Sequence, residues 1–290
     1  MRAPWADYRL LDFGHGRKLE RFGAHVLDRP APAAERCEPK LDSAAWRSAD
    51  ARYDRTESDQ GQWIGGDALP EWWTVEHGGL QFEIKPTPFG HVGLFPEQAA
   101  NWAWIDAQIR QAGKPLKILN LFAYTGASTL AAARAGAQVV HVDSARGTVE
   151  WARQNAALCG LADAPIRWIV EDALKFARRE VKRGNQYDAV ILDPPSYGHG
   201  PAGEAWKIDE HLPELLSLCA ELTATERRFT LLTCHSPGYG PRELQSLLQN
   251  AFGVPANTIE AAEMALTSDS GHELPAGSMA RWSTAGRPVA

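Results

Sequence analysis

From Lys117 onward, short apolar runs alternate with segments long enough to be helices, and this alternation constrains the fold more than any other feature. Ile118-Leu119-Asn120-Leu121-Phe122 predicts a buried strand, and Ala127 to Ala135 an alanine-rich helix stopped at Gly136, where a left-handed cap suits glycine. Val139-Val140-His141-Val142 predicts a second strand ending at Asp143, with Ser144 capping a helix that runs to Leu158. A third strand over Ile166–Val170 and a helix over Ala173–Arg183 follow, then a strand over Tyr187–Leu192 ending at Asp193. A helix over Asp209–Leu222, a strand over Phe229–Cys234, a helix over Arg242–Phe252 and two weaker strand-like runs complete the chain. Strands separated by helices of this length form a parallel sheet covered on both faces. Right-handed crossovers make it a doubly wound α/β fold.

Residues 1–110 have a different texture. Glycine and proline punctuate them every few residues, and the runs between are short: Ala24–Leu27, Trp72–Val75 and Leu80–Ile84. The last alternates apolar and polar residues as a half-buried strand does, and Gly78-Gly79 before it signals a hairpin. The polar stretch 31–60 predicts a loop with a short helix, and Phe95–Gln111 a connecting helix with Pro96 in its first turn. The expected division is a small, mostly β module with a helical connector over 1–110, then an α/β domain over 111–290. Seven of the eleven tryptophans precede residue 105, which fits core packing of a small module or a base-stacking surface.

Composition narrows the function classes. A net charge of −6 argues against coating nucleic acid through bulk charge and leaves room for a local basic patch. Arg9, Arg17, Lys18 and Arg21 form one small cluster, and Arg178, Arg179, Lys182 and Arg183 another at a helix end, where cations also complement the helix dipole. The four cysteines, Cys37, Cys159, Cys219 and Cys234, form no C-x-x-C pair, so reduced thiols without zinc or another metal are expected. The N-terminal MRAPWADYRLL lacks a signal peptide's apolar stretch, and no run approaches the ~18 apolar residues of a membrane span. A cytoplasmic protein is the expectation.

Ligands of such sheets bind at the carboxyl ends of the strands, near the switch in strand order. Those ends carry Tyr124-Thr125-Gly126, Asp143, Glu171-Asp172 and Asp193-Pro194-Pro195-Ser196-Tyr197. A dinucleotide calls for G-x-G-x-x-G, whereas F-A-Y-T-G-A has one glycine and a bulky tyrosine; a P-loop is absent too. The pattern suits S-adenosylmethionine. The turn leads into a helix N-terminus that can hold a carboxylate, with Gly126 permitting close approach. Asp143 can accept from both ribose hydroxyls and Asp172 from an adenine amino group.

NLFAYTG, VVHVD, the EDA after the third strand and VILDPPSYG together resemble the class I S-adenosylmethionine-dependent methyltransferases of the large-subunit ribosomal RNA cytosine/guanine type. The resemblance covers at least Phe95–Gly238, and DYRLLDFGHGRKLERFG is similar to the start of a related group of these enzymes. It implies a seven-stranded, Rossmann-like sheet with an antiparallel final strand. It also implies cofactor contacts from Phe122, Tyr124, Thr125, Gly126, Asp143, Ser144, Asp172 and Ala173, with Asp193 beside the transferred methyl group and Gln98 in a cofactor-pocket segment.

Methyl transfer is an in-line displacement, so positioning is the main task. Cytosine carbon-5 needs a cysteine to add to the ring first, and relatives acting on it carry a serine-cysteine pair after the fifth strand. Here Thr233-Cys234-His235-Ser236-Pro237-Gly238 places Ser236 at the cysteine position and Cys234 two residues earlier. His235, adjacent in a strand, points away from Cys234. A nitrogen acceptor is therefore favoured. Asp193, Pro194 and Pro195 can aim a carboxylate and a carbonyl at a planar acceptor, Tyr197 can stack on a base, and His199 and His211 are candidate proton acceptors. The expected activity is methylation of a base in RNA, ribosomal RNA above others. A small-molecule acceptor and a non-catalytic RNA-binding module with a vestigial cofactor pocket are the alternatives.

Overall fold

The computed structural model describes residues 5–55 and 61–284. The last five positions of the stretch 31–60, and the outermost residues at both ends of the two expected domains, lie outside the described residues. Contacts divide the chain into two units at Gln98/Ala99, and Ala265–Ala276 groups with the first.

The first unit holds β1 (Tyr8–Gly14), β2 (Arg17–Phe22), β3 (His25–Pro30), α1 (Ser43–Arg47), β4 (Ala51–Arg55), β5 (Gly61–Ile64), β6 (Trp73–His77) and β7 (Leu80–Ile84). β1 to β5 form one sheet in sequence order, and β6 and β7 a separate hairpin. Gly78 and Gly79, at φ 56° and 79°, make the tight turn that the sequence signalled. β1 and β2 escaped the periodicity reading because carboxylates sit in their core. Asp12 and Glu20 are buried. Asp12 accepts from the Lys40 and Leu41 amides and from Trp46 Nε1. Glu20 accepts from Tyr8 Oη and from Arg29, with Lys18 alongside. Fully partnered carboxylates can occupy a core that an apolar pattern would not reveal.

The second unit holds α2 (Ala99–Gln111), β8 (Lys117–Leu121), α3 (Ala127–Arg134), β9 (Gln138–Asp143), α4 (Arg146–Leu158), β10 (Ile166–Val170) and α5 (Ala173–Lys182). It continues with β11 (Ala189–Leu192), β12 (Tyr197–His199), β13 (Ala205–Lys207), α6 (Ile208–Leu222), β14 (Phe229–Cys234) and α7 (Pro241–Phe252). β15 (Glu260–Thr267) and β16 (Glu273–Ser283) complete its sheet, in the order β10-β9-β8-β11-β14-β16-β15. The strands β10, β9, β8, β11 and β14 are parallel, and β16 runs antiparallel to β14. This is the seven-stranded doubly wound sheet that the resemblance implied.

Each strand alternates its side chains between two cores. Ile118, Val139, Ile191 and Leu231 face one, together with Ile105 and Ile109 of α2. Leu119, Val140, Leu192 and Leu232 face the other, against Phe176, Leu216 and Leu248 from the helices. Ile105 and Ile109 thus tie the connector helix to the α/β unit. Boundaries differ in detail: the strand expected from Tyr187 begins at Ala189, the connector helix expected from Phe95 begins at Ala99, and Ala145, not Ser144, is the N-cap of α4.

Candidate active site at the strand ends

The sheet order puts the ends of β10, β9, β8 and β11 side by side, and direction of chain progression reverses between β8 and β11. That reversal is the switch point where α/β sheets open a crevice.

The turn after β8 is the most constrained segment of the rim. Phe122 and Tyr124 have φ of 55° and 50°, left-handed values uncommon outside glycine, and Gly126 stands at 91° as the N-cap of α3. Two such non-glycine residues cost on the order of 1–3 kcal/mol each and persist only where their surroundings fix them. The fixing bonds are present. The Ala123 amide donates to the Val142 carbonyl at 3.1 Å, Tyr124 N to Asp143 Oδ2 at 2.9 Å, and Asn155 Nδ2 to the Thr125 carbonyl at 3.0 Å. A Cβ on Gly126 would lie 3.0 Å from the Ala152 methyl, so α4 packs against the turn at backbone range.

Beneath the turn lies a polar chain that the sequence reading missed. Asn120 Nδ2 donates to Thr129 Oγ1 at 2.9 Å, and Thr129 Oγ1 bonds His141 Nδ1 at 3.0 Å. All three residues are buried. Burial pushes the His141 imidazole down to about 3, so it is neutral at physiological pH. The signal available in the sequence was a polar residue inside each of two apolar strands.

Asp143 closes β9 half-buried. Its Oδ1 accepts from the Ala145 amide at 3.0 Å, which serves the start of α4 in place of the expected Ser144 cap. Burial raises this carboxyl above the ordinary range, and the amides of Ala145, Tyr124 and Ser144 pull it back. Asp172 caps α5 through Oδ1, which accepts from Lys175 N at 2.8 Å; Oδ2 has no hydrogen-bond partner among the described residues. Phe122, Asp143, Ser144, Asp172 and Ala173 share one cleft with Pro195 and Trp206. Acceptor carboxylates at Asp143 and Asp172 and the Phe122 ring all line this cleft. The Gly126 helix start adds donors for a carboxylate. The residue set therefore fits S-adenosylmethionine.

Beyond β11, Pro194 and Pro195 lead into a hairpin of β12 and β13 that was also not anticipated, although G-H-G-P-A-G between Tyr197 and Glu204 is turn chemistry. Trp206 Nε1 donates to the Pro195 carbonyl at 2.7 Å and its ring lies 4.8 Å from that of Phe122. Lys175 binds Glu204 at 3.0 Å, tying the hairpin to α5. Tyr197 is exposed, its hydroxyl 2.9 Å from His199 Nε2. His211 lies at the start of α6 against the Lys207 backbone. Asp193 stands 3.7 Å from His235 Nε2 across the sheet end, and Ser196 Oγ bonds Ser236 Oγ at 2.6 Å. Gln98 is buried in the first unit.

Most residues of both basic clusters are ion-paired. Arg9 forms a bidentate pair with Asp269, Arg17 binds Asp28 and Asp54, and Lys18 binds Glu20. Arg178 pairs with Glu214, Arg179 with Glu171 and Arg183 with Glu180. Among the early tryptophans, Trp102 is buried, Trp46 is fixed by Asp12 and Trp72 is exposed. No helix among the described residues is long and apolar enough to cross a membrane.

Comparison with known proteins gives this geometry a context. The sequence profile of the S-adenosylmethionine-dependent methyltransferases matches residues 38–243. The crystal structure of the SAM dependent methyltransferase from Agrobacterium tumefaciens superposes with a TM-score of 0.90 at 35% identity, covering 97% of this chain and 91% of that one. Ribosomal RNA large subunit methyltransferase I of Aeromonas salmonicida (strain A449) is 37% identical over 140 residues, which are 48% of this chain and 34% of that protein. Ribosomal RNA large subunit methyltransferase K/L of Methylococcus capsulatus is 30% identical over 146 residues, 50% of this chain and 19% of that protein. The matched region thus spans about a third and about a fifth of the length of these two curated relatives.

Proposed function

The chain belongs to the S-adenosylmethionine-dependent methyltransferase family, and from that premise we propose that it methylates a ring or exocyclic nitrogen of a base in RNA, ribosomal RNA above others, as a cytoplasmic enzyme. The observation that carries the nitrogen assignment is the state of the thiol after β14. Cys234 is buried, its Sγ accepts from the Ser236 amide at 3.4 Å, and burial raises its thiol above the usual range. A protonated, enclosed thiol is a poor nucleophile. Ser236, at the position where a cytosine enzyme would have its cysteine, is held by Ser196. Carbon-5 chemistry has no activated group here, whereas a nitrogen lone pair needs none.

Bound S-adenosylmethionine supplies an electrophilic sulfonium methyl. Asp143 receives the ribose hydroxyls, Asp172 the adenine amino group, and the Thr125-Gly126 helix start the carboxylate; Tyr124, Ser144 and Ala173 complete the contacts, and Phe122 flanks the ring. Asp193 accepts a hydrogen bond from the acceptor nitrogen. Pro194 and Pro195 hold that carboxylate in place, and Tyr197, exposed on its hairpin, stacks on the extruded base. RNA as acceptor is supported by the two ribosomal RNA relatives.

The paired state of both basic clusters favours a second reading, a small-molecule acceptor. Salt separates the two: affinity for RNA falls steeply with ionic strength, and affinity for a neutral metabolite does not. The deciding test is incubation with methyl-labelled S-adenosylmethionine and unmodified ribosomal and transfer RNA. Label in the RNA, located on a base nitrogen by nucleoside digestion, is the expected result. No label, with cofactor binding intact, contradicts the RNA reading.

A further inference from the structure

A glycine in the middle of β16 bears on the chemistry at Asp193. Gly277 has φ 103°, a region closed to ordinary side chains. A Cβ there would stand 2.8 Å from His235 Nδ1 and 2.8 Å from the Cys234 carbonyl oxygen. Glycine inside a strand weakens it and commonly marks a close approach of another group. Here the approaching group is an imidazole. With Nδ1 packed over Gly277, the ring turns Nε2 toward Asp193 Oδ1, 3.7 Å away, at ion-pair range. His235 is 37% exposed, so its ring also meets solvent. Titratable groups around this corner include Asp193 from the end of β11, Cys234 on β14, Tyr239, which binds Asp209 at 2.6 Å, and Glu243 on α7. Gly277 and Met264, from the β15–β16 hairpin, add no charge.

We propose that His235, seated by Gly277, is the proton-accepting partner of Asp193 in methyl transfer, an inference that rests on the nitrogen-acceptor reading. Transfer forms a nitrogen–carbon bond as the sulfur–carbon bond breaks, and the acceptor nitrogen is left with one proton too many. The Asp193 carboxylate takes that proton and passes it to the Nε2 lone pair of His235, and the imidazolium releases it to water. His235 acts through Asp193 and is a positioning residue in this scheme.

The pairing is testable without any acceptor. The imidazole resonances of the full chain are recorded by NMR at a single pH, with His235 assigned by its absence in His235→Gln. Asp193→Asn should displace the His235 ring resonances and leave those of the other histidines in place. Unchanged His235 resonances overturn the pairing. With RNA, His235→Gln should lower kcat about tenfold, within the range of general-base contributions, shift the acid limb of its pH profile and leave cofactor affinity as it was. Full activity in Asp193→Asn would defeat the nitrogen-acceptor reading itself. Loss of activity in Asp193→Asn beside a wild-type rate and pH profile in His235→Gln would defeat this inference alone.

Discussion

Acid should destabilise this protein through His141, and the size of the effect follows from where the residue sits. His141 is fully buried on β9, bonded through Nδ1 to Thr129, and held neutral by desolvation down to a pKa of about 3. In the unfolded chain a histidine titrates near 6.5. The folded value lies below the unfolded one, so the contribution is complete above about pH 6.5 and drains away as pH falls toward 3. Between pH 7 and pH 5 the unfolded chain gains a proton that the native state refuses. Linkage over that interval gives a loss of about 2 kcal/mol from this residue alone. The perturbation is His141→Leu, which puts a buried apolar side chain in the strand and leaves Thr129 bonded to Asn120. Urea unfolding of both proteins at pH 7 and pH 5 isolates the effect, because the other histidines and the cost of the substitution are common to the two pH values. The wild type should lose about 2 kcal/mol more than the variant across the interval. Equal losses would refute the description of His141 as a buried neutral imidazole beneath the cofactor turn.

Two further predictions concern the site. Cys234→Ser should retain methyl transfer at the wild-type rate in the labelled-cofactor assay, since the buried thiol takes no part; an inactive, well-folded variant would restore covalent catalysis. Gly126→Ala should weaken S-adenosylmethionine binding at least tenfold by calorimetry, because φ of 91° and the Ala152 methyl 3.0 Å away leave a Cβ no relaxed position; unchanged affinity would mean that the turn is not a cofactor contact.

The α/β unit was legible because its parallel strands are apolar runs of four to six residues and its helices have their own stop signals, as at Gly136. The cleft was legible in part, because Asp143 and Asp172 stand at or just beyond strand ends whose place follows from a parallel sheet; Tyr124, Thr125, Gly126, Asp193 and Tyr197 do not line it. Elements built on partnered polar groups were not. β1 and β2 bury Asp12 and Glu20, so their pattern does not alternate, and α2 declares its allegiance through Trp104, Ile105 and Ile109. Ser144 resembled a cap, yet Asp143 does that work one residue earlier, through a bond that no local pattern encodes. The Asn120-Thr129-His141 chain joins three elements, and the approach of His235 to Gly277 joins residues 42 apart in the sequence. Both depend on tertiary packing, which periodicity does not contain.

The central claim is that the strand ends of this sheet hold S-adenosylmethionine, with Asp143 on the ribose. Calorimetric titration of the cofactor onto the wild type and Asp143→Ala, with circular dichroism as the control for folding, tests it most directly. Two charge-assisted hydrogen bonds, at about 1.5–3 kcal/mol each, predict a loss of at least a hundredfold in affinity with the fold intact. A folded Asp143→Ala protein that binds S-adenosylmethionine as tightly as the wild type would contradict the account.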